Sequence, residues 1–270
     1  MTVKSGDPLK TRKTALITGA TSGIGACYAS HFAKGGCDLI LTGRRMEKLK
    51  RAGKTLADTC NVRVETVKAE LSDPGDIDKV VRLIRSSDDI EILVNNAGLG
   101  NLESFGGEEM EKQMRMIYVH DVASSKFIHA VLPGMKKRKT GTIINVASMA
   151  AYAPSAVDVL YAASKAFLVV LSEGLHMELK NSGIRIQALC PGFTRTEFHT
   201  RLGMKKGNLK DQLVFRWLSP EAVVNASIKQ LRTNRPVCIP GFWYKALYFL
   251  IRILPRQLYY SIAADKKAES

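Results

Sequence analysis

Cysteine is scarce. Five occur in 270 residues, Cys27, Cys37, Cys60, Cys190 and Cys238, an odd number with no CxxC pair among them. That usage argues against a disulfide framework and a zinc site, and it suits a reducing compartment. No secretory signal is visible at the amino end, where "MTVKSGDPLKTRKTALITG" offers basic residues and one short apolar run that reads as a strand. Long apolar runs are missing from the aromatic-rich C-terminal stretch as well. Lys245, Arg252, Pro255 and Arg256 divide "GFWYKALYFLIRILPRQLYYSIAADKKAES" into pieces too short for a bilayer span. Repeats, low-complexity segments and interior linkers are absent. So is any recognised nucleic-acid-binding motif, which leaves that function to rest on net charge alone. Acidic residues are outnumbered, 25 against 40 basic, for a formal charge of +15 that attracts anions in general. Part of the surplus reads as solvated surface: "KKRK" at 136–139 follows a helical pattern, where cations meet the negative end of the helix.

What is present is an ordinary globular composition, 46% hydrophobic and 24% charged, enough for one large α/β domain. Short β-branched runs alternate with longer helical patterns. "TALIT" (14–18), "CDLILT" (37–42), "VRVETV" (62–67), "IEILV" (90–94), "TIINVA" (142–147), "IRIQAL" (184–189) and "PVCIP" (236–240) are the expected strands. Near-continuous apolar strands separated by helices imply a doubly wound parallel α/β sheet covered on both faces. The expected layout is a basic tail over 1–11, one catalytic domain over 12–241 and an amphipathic extension over 242–270.

Ligands of such sheets lie beyond the carboxyl ends of the strands. The first of these loops is "TGATSGIG" (18–25), in which Gly19, Gly23 and Gly25 surround Thr21, Ser22 and Ile24 between a strand and a helix. Glycine there permits a tight turn and lets backbone N–H groups approach a pyrophosphate at a positive helix end. After the second strand, "TGRR" places Arg44 and Arg45 where an acidic residue would grip an unphosphorylated ribose. Guanidinium groups suit a 2′-phosphate instead. Further along, "VLYAASKAFL" sets Tyr161 and Lys165 four residues apart, on one face of a helix. Adjacent positive charge favours a phenolate, which an unperturbed tyrosine with a pKa of ~10 does not form at neutral pH.

"TGATSGIG", "NNAG" at 95–98, Ser148, the Tyr161/Lys165 pair and "PG" at 191–192 stand in the order and spacing that resemble the short-chain dehydrogenase/reductase family, over residues 12–240. The resemblance implies a Rossmann-type fold and NADP(H) as cofactor. It gives Tyr161 the role of general acid or base, Ser148 that of polarising the substrate carbonyl or hydroxyl, and Lys165 that of holding the nicotinamide ribose and lowering the phenol's pKa. It sets Asn96, Ala97 and Gly98 against the cofactor, lets Asn95 tie the central strands together, and makes Pro191, Gly192, Thr194 and Thr196 a clamp on the nicotinamide amide. Two positions depart from the family pattern. Glu70, before Leu71, stands where an Asp usually meets the adenine, and His120 stands where an asparagine is usual, thirteen residues before Pro133. A neutral imidazole has one donor and one acceptor, so His120 is a candidate proton relay. A satisfied core histidine, or a helix distortion that brings Asp121 into play, are its alternatives.

The expected activity is hydride transfer between NADP(H) and a ketone/secondary-alcohol pair, with lipid-like or 3-oxoacyl substrates suggested by "VLPGM", "LCPGFTRTEF" and the aromatic-rich tail. A non-catalytic NADP-responsive binding protein is the alternative. The expected partners are a small carbonyl or alcohol substrate and further copies of the chain, as a homodimer or homotetramer, with no nucleic acid and no metal. The expected location is cytoplasmic. For the C-terminal extension three roles are open: packing against a partner subunit, covering a lipophilic pocket, or peripheral membrane contact through residues 242–262.

Overall fold

Seven short apolar runs become seven strands. In the computed structural model, which describes residues 12–100, 103–202 and 217–265, these are β1 (Thr14–Thr18), β2 (Asp38–Gly43), β3 (Val64–Lys68), β4 (Ile90–Asn95), β5 (Gly141–Val146), β6 (Ile184–Leu189) and β7 (Val237–Cys238). All pair in parallel, in the order β3-β2-β1-β4-β5-β6-β7. The expected tail over 1–11 and the last residues, 266–270, lie outside the described residues.

The strands are apolar on both faces because both faces are covered. Leu16, Leu93, Ile143 and Ile186 point to one side, where they meet α3 (Pro74–Ser86) and α5 (Ala123–Arg138). Ile17, Leu41, Val94 and Ile144 point to the other, against α1 (Gly23–Lys34), α2 (Met46–Cys60) and α8 (Pro220–Leu231). The period-two alternation of side chains along each strand thus feeds two cores from one sheet. Leu16 is fully buried, and its truncation to alanine is expected to cost about 2–5 kcal/mol.

α4 (Met110–Ile117) runs into α5 through one π-helical turn, Tyr118–Val122. α6 (Val159–Glu178) is long and apolar enough, by length and composition, to cross a membrane. It lies instead along the sheet, with Ala162, Lys165, Leu168, Val169 and Ser172 buried. Beyond β6 come α7 (Glu197–Arg201), α8 and, after β7, the helices α9 (Phe242–Ile253) and α10 (Arg256–Asp265). The strand order reverses beside β1, where the chain passes from the edge strand β3 back to β4. Such a switch point opens a crevice at the carboxyl ends of the strands.

Candidate active site

A cleft of about 460 Å³ occupies that crevice. Its floor at one end is the turn after β1. Gly19 and Gly23 have φ of +65° and +57°, the left-handed region that favours glycine, and this curl delivers the chain to the amino end of α1. Thr21, Ser22 and Ile24 line the cleft beside them. Gly25, expected to contact the cofactor, does not line it. A Cβ there would lie 2.4 Å from Asn96 Nδ2, so this glycine serves the close packing of α1 on the loop after β4. Asn96 explains why that packing holds. Its Nδ2 donates to Thr18 O at 2.8 Å and Gly19 O at 3.2 Å, while Thr18 Oγ1 accepts from the Asn96 and Ala97 N–H groups, both at 2.9 Å. The Asn96 amide therefore braces the glycine turn, and Ala97 and Gly98 line the cleft behind it.

Both arginines after β2 line the cleft, in different states. Arg45 reaches back to the glycine turn, donating to Thr21 Oγ1 at 2.6 Å and Ser22 Oγ at 3.2 Å, and forward to Glu197 on α7 at 2.7 Å. Arg44 is half-exposed and 3.3 Å from Glu70 Oε2. Glu70 in turn receives Ser72 Oγ at 3.0 Å on Oε1, so both carboxylate oxygens already have protein donors. Leu71 beside it is buried.

At the other end the β5 terminus places Ser148 at the start of a short 3₁₀ turn, where its Oγ accepts from Ala150 N–H at 3.2 Å. The phenol of Tyr161 stands beside that hydroxyl, and both line the cleft. Burial pushes the phenol up to about 12, Ser148 pulls it down, and the nearby Asp158 carboxyl pushes it up again. One turn along α6, Lys165 is buried; Nζ donates to Val146 O at 2.9 Å and stands 5.6 Å from the Tyr161 ring centroid. Burial drops the ammonium to about 8, against the opposing pull of Asp121 and Cys190. The Lys165 ammonium faces the ring, while desolvation sets the direction of the phenol's shift.

His120 takes the form of the satisfied core histidine named as an alternative to the relay. It sits in the π-helical turn, buried, and does not line the cleft. Its Nε2 accepts from Leu99 N–H at 3.0 Å and Nδ1 is 2.8 Å from Ser164 Oγ. With both ring nitrogens held by the protein, and burial and Lys165 holding its pKa well below 6.5, the ring is a neutral structural bridge. Its neighbour Asp121 is the ionisable group that the distorted turn brings toward Lys165. Burial raises the carboxyl to about 7, Lys165 pulls it down, and Oδ1 has no hydrogen-bond partner among the described residues.

The strand ends are pinned by a buried ladder. Asn95 Nδ2 donates to Asn145 Oδ1 at 2.9 Å, and Asn145 Nδ2 to Ser172 Oγ at 2.9 Å, which ties β4 to β5 and β5 to α6. Asn95 is in the expected place; Asn145 and Ser172 carry no motif and escape sequence reading. Pro191, Gly192, Thr194 and Thr196 line the cleft beyond β6, with Thr194 Oγ1 donating to Gly192 O at 2.9 Å. The remaining wall is apolar and was not foreseen residue by residue. Leu99, Met149, Phe193 and Phe198 face Tyr244 and Leu247 of α9, and Tyr244 Oη accepts from Phe193 N–H at 3.0 Å. Asp158 is the polar exception. It adopts φ +61° before α6, lines the cleft, and is raised to about 6 by burial.

The arrangement fits a dinucleotide. The glycine turn opens on a positive helix end, a cation faces the β2 end, and a hydroxyl–phenol pair waits at the far end. Comparison with known proteins agrees. Residues 13–207 match the short chain dehydrogenase family. The "Inactive hydroxysteroid dehydrogenase-like protein 1" of Homo sapiens is 31% identical over 87% of this chain and 70% of its own length. The very-long-chain 3-oxoacyl-CoA reductase of Anas platyrhynchos is 35% identical over 68% of this chain and 60% of its own. A short-chain dehydrogenase from Sphingobium yanoikuyae in complex with NADPH superposes with a TM-score of 0.80 at 34% identity, covering 90% of this chain and 96% of that one. Strand order, glycine turn and the matched span lead to one conclusion: this chain belongs to the short-chain dehydrogenase family.

Proposed function

We propose that the chain is an NADP(H)-dependent oxidoreductase that interconverts a lipophilic ketone, received against the apolar wall of the cleft, and its secondary alcohol. The observation that carries the reading is that Ser148 and Tyr161 meet on the wall of the cleft, with Lys165 one helical turn away. A bound nicotinamide supplies or accepts the hydride. Gly19, Thr21, Ser22, Gly23 and Ile24 would hold its pyrophosphate, Arg44 the 2′-phosphate, and Thr194 and Thr196 the amide end.

In the reductive direction the Ser148 hydroxyl and the Tyr161 phenol both donate toward the carbonyl oxygen. As negative charge grows on that oxygen, the phenol proton passes to it, which leaves the alcohol and a phenolate. Burial keeps Tyr161 neutral at neutral pH, the form that reduction needs. Lys165, protonated, faces the ring and lowers the cost of the phenolate once it forms. Leu99, Phe193, Phe198 and Leu247 favour an apolar body on the substrate, and a 3-oxoacyl chain satisfies that demand. The homodimer or homotetramer reading is supported by α6, whose outer face exposes Phe167, Val170 and Met177.

NADPH consumption by the purified protein with ketones and 3-oxoacyl thioesters tests the activity. Turnover is expected, and Tyr161→Phe is expected to lower kcat by about a hundredfold or more with NADPH binding retained. The alternative, a non-catalytic dinucleotide-binding protein, is in keeping with the inactive human relative; tight NADPH binding with no turnover on any carbonyl would establish it.

A further inference from the structure

Helix α9 has two apolar faces, and the cleft uses one. Tyr244 and Ile251 are buried, Tyr244 and Leu247 line the cleft, and Tyr248 packs edge-on against Tyr152 at 4.7 Å between ring centroids. The opposite face carries Phe242, Trp243, Phe249, Leu250 and Ile253, with Phe242 and Ile253 each 76% exposed. Pro255 then breaks the helix, and α10 adds Leu258 and Tyr260, also exposed. Tyr259 fastens α10 to the body by donating to Pro154 O at 2.7 Å. A soluble surface seldom leaves so many large apolar side chains together without a partner.

Charge selects the partner. Lys245, Arg252 and Arg256 are exposed among these side chains, and no Asp or Glu occurs between Phe242 and Ala264. A second copy seated on this face by a two-fold contact would bring like charges together with no acid in the segment to pair them. An anionic lipid surface offers counter-charges to all three cations and an acyl boundary for the rings and aliphatic chains. An amphipathic helix with Trp, Phe and Leu on one side and cations at its flanks lies in that interface.

We infer that the outer faces of α9 and α10 form a docking surface for an anionic lipid bilayer, held by Phe242, Trp243, Phe249 and Ile253 below and by Lys245 and Arg256 at the headgroups. This goes beyond hydride transfer and does not depend on it. Because the inner face of the same helix walls the cleft, docking sets the cleft about 10 Å, one helix diameter, from the lipid.

Flotation of the full-length protein with vesicles tests the inference. One set is phosphatidylcholine alone, the other an equimolar mixture of phosphatidylcholine and phosphatidylserine. The expected result is at least about tenfold more protein floating with the anionic vesicles, and release as salt is raised toward ~1 M, where charge is screened within about 3 Å. Phe249→Ser/Ile253→Ser and Lys245→Glu/Arg256→Glu are each expected to abolish flotation while keeping the parent's melting temperature and NADPH affinity, which separates loss of docking from loss of fold. Absence of flotation with both vesicles overturns the inference, as does equal flotation with both. It also falls if the parent is an oligomer in solution that Ile253→Ser dissociates, because a second copy then occupies the face. None of these readouts needs turnover, so failure of the oxidoreductase reading is seen separately.

Discussion

The imidazole of His120 donates from Nδ1 to Ser164 Oγ across 2.8 Å, and that hydroxyl donates on to Tyr161 O, also at 2.8 Å. The direction is fixed at the other nitrogen, since Nε2 accepts from Leu99 N–H and carries no proton. His120 thus holds the loop after β4 to the first turn of α6, the turn that bears Tyr161. His120→Ala leaves the part-buried Leu99 N–H without its acceptor and Ser164 Oγ without its donor, and is expected to lower stability by about 1–3 kcal/mol. Burial depresses its pKa, so the folded state resists protonation. Stability is full above the unfolded value of 6.5 and falls as pH drops below it. Melting temperatures between pH 7 and 5 are expected to decline in the parent and to decline less in His120→Asn; parallel slopes would remove the assignment.

Arg44 is the residue proposed to hold the 2′-phosphate, and on that proposal it distinguishes NADPH from NADH. It is half-exposed, so its charge-assisted bond to a 2′-phosphate is moderated by solvent, and Arg44→Ala is expected to weaken NADPH binding by about tenfold while leaving NADH nearly unchanged. Glu70 competes for the same guanidinium. Glu70→Gln is therefore expected to tighten NADPH. Fluorescence titration with both cofactors checks the pair, and equal losses for NADPH and NADH in Arg44→Ala would leave the arginine a structural role only.

Asp121 and Lys165 titrate toward each other, the carboxyl raised to about 7 and the ammonium lowered to about 8, both by burial. The Asp121 charge is the larger of the two influences that restrain the fall of Lys165, Cys190 being the other. In Asp121→Asn the larger restraint is gone, so Lys165 loses its proton at a lower pH than in the parent. The alkaline limb of the kcat/KM profile for NADPH-dependent reduction is expected to shift to lower pH. Profiles that coincide would show that Lys165 titrates independently of the π-helical turn.

Asp158 acts on the phenol. Its carboxyl adds to the rise of Tyr161, and its own value moves from 3.8 to about 6 through burial. Asp158→Asn is expected to start the alkaline rise of alcohol oxidation at lower pH, because the phenolate forms more readily. The raised carboxyl also stabilises the parent fully below pH 3.8, and that contribution is lost as pH rises through about 6. Melting curves of parent and variant should therefore diverge over that window.

Much of this was legible before the structure. The runs at 14–18, 90–94 and 184–189 fall inside the observed strands, because β-branched and aliphatic residues in a doubly covered sheet leave a continuous apolar signal. "PVCIP" shrinks to Val237–Cys238. Prolines at both ends cannot donate to a ladder, and the pairing is extended by Pro236 O, accepting from Ala188 N–H, and by Cys238 O, accepting from Cys190 N–H, both at 2.7 Å. The meeting of Tyr161, Ser148 and Arg44 at one cleft was legible because their spacing follows local elements. The hydrogen bonds of Arg45, the packing of Gly25 and the two bonds of His120 were not. Each depends on a partner brought in from another segment, and no periodicity in the chain encodes such a meeting. The same holds for Tyr244, which reaches Phe193 from a helix beyond β7.

The strand order has a consequence for biosynthesis. β1 lies in the middle of the sheet, yet its second neighbour, β4, emerges only after β2, α2, β3 and α3 have been made, when Thr14 at last meets Ile90. Until then a nascent chain that has paired β1 with β2 exposes the far edge of β1, a row of free N–H and C=O groups beside Ala15, Leu16 and Ile17. Such an edge recruits foreign strands. Translation arrest or truncation between β3 and β4 therefore leaves this apolar edge unpaired and prone to aggregate, until β4 covers it and the open edge passes to β4 itself.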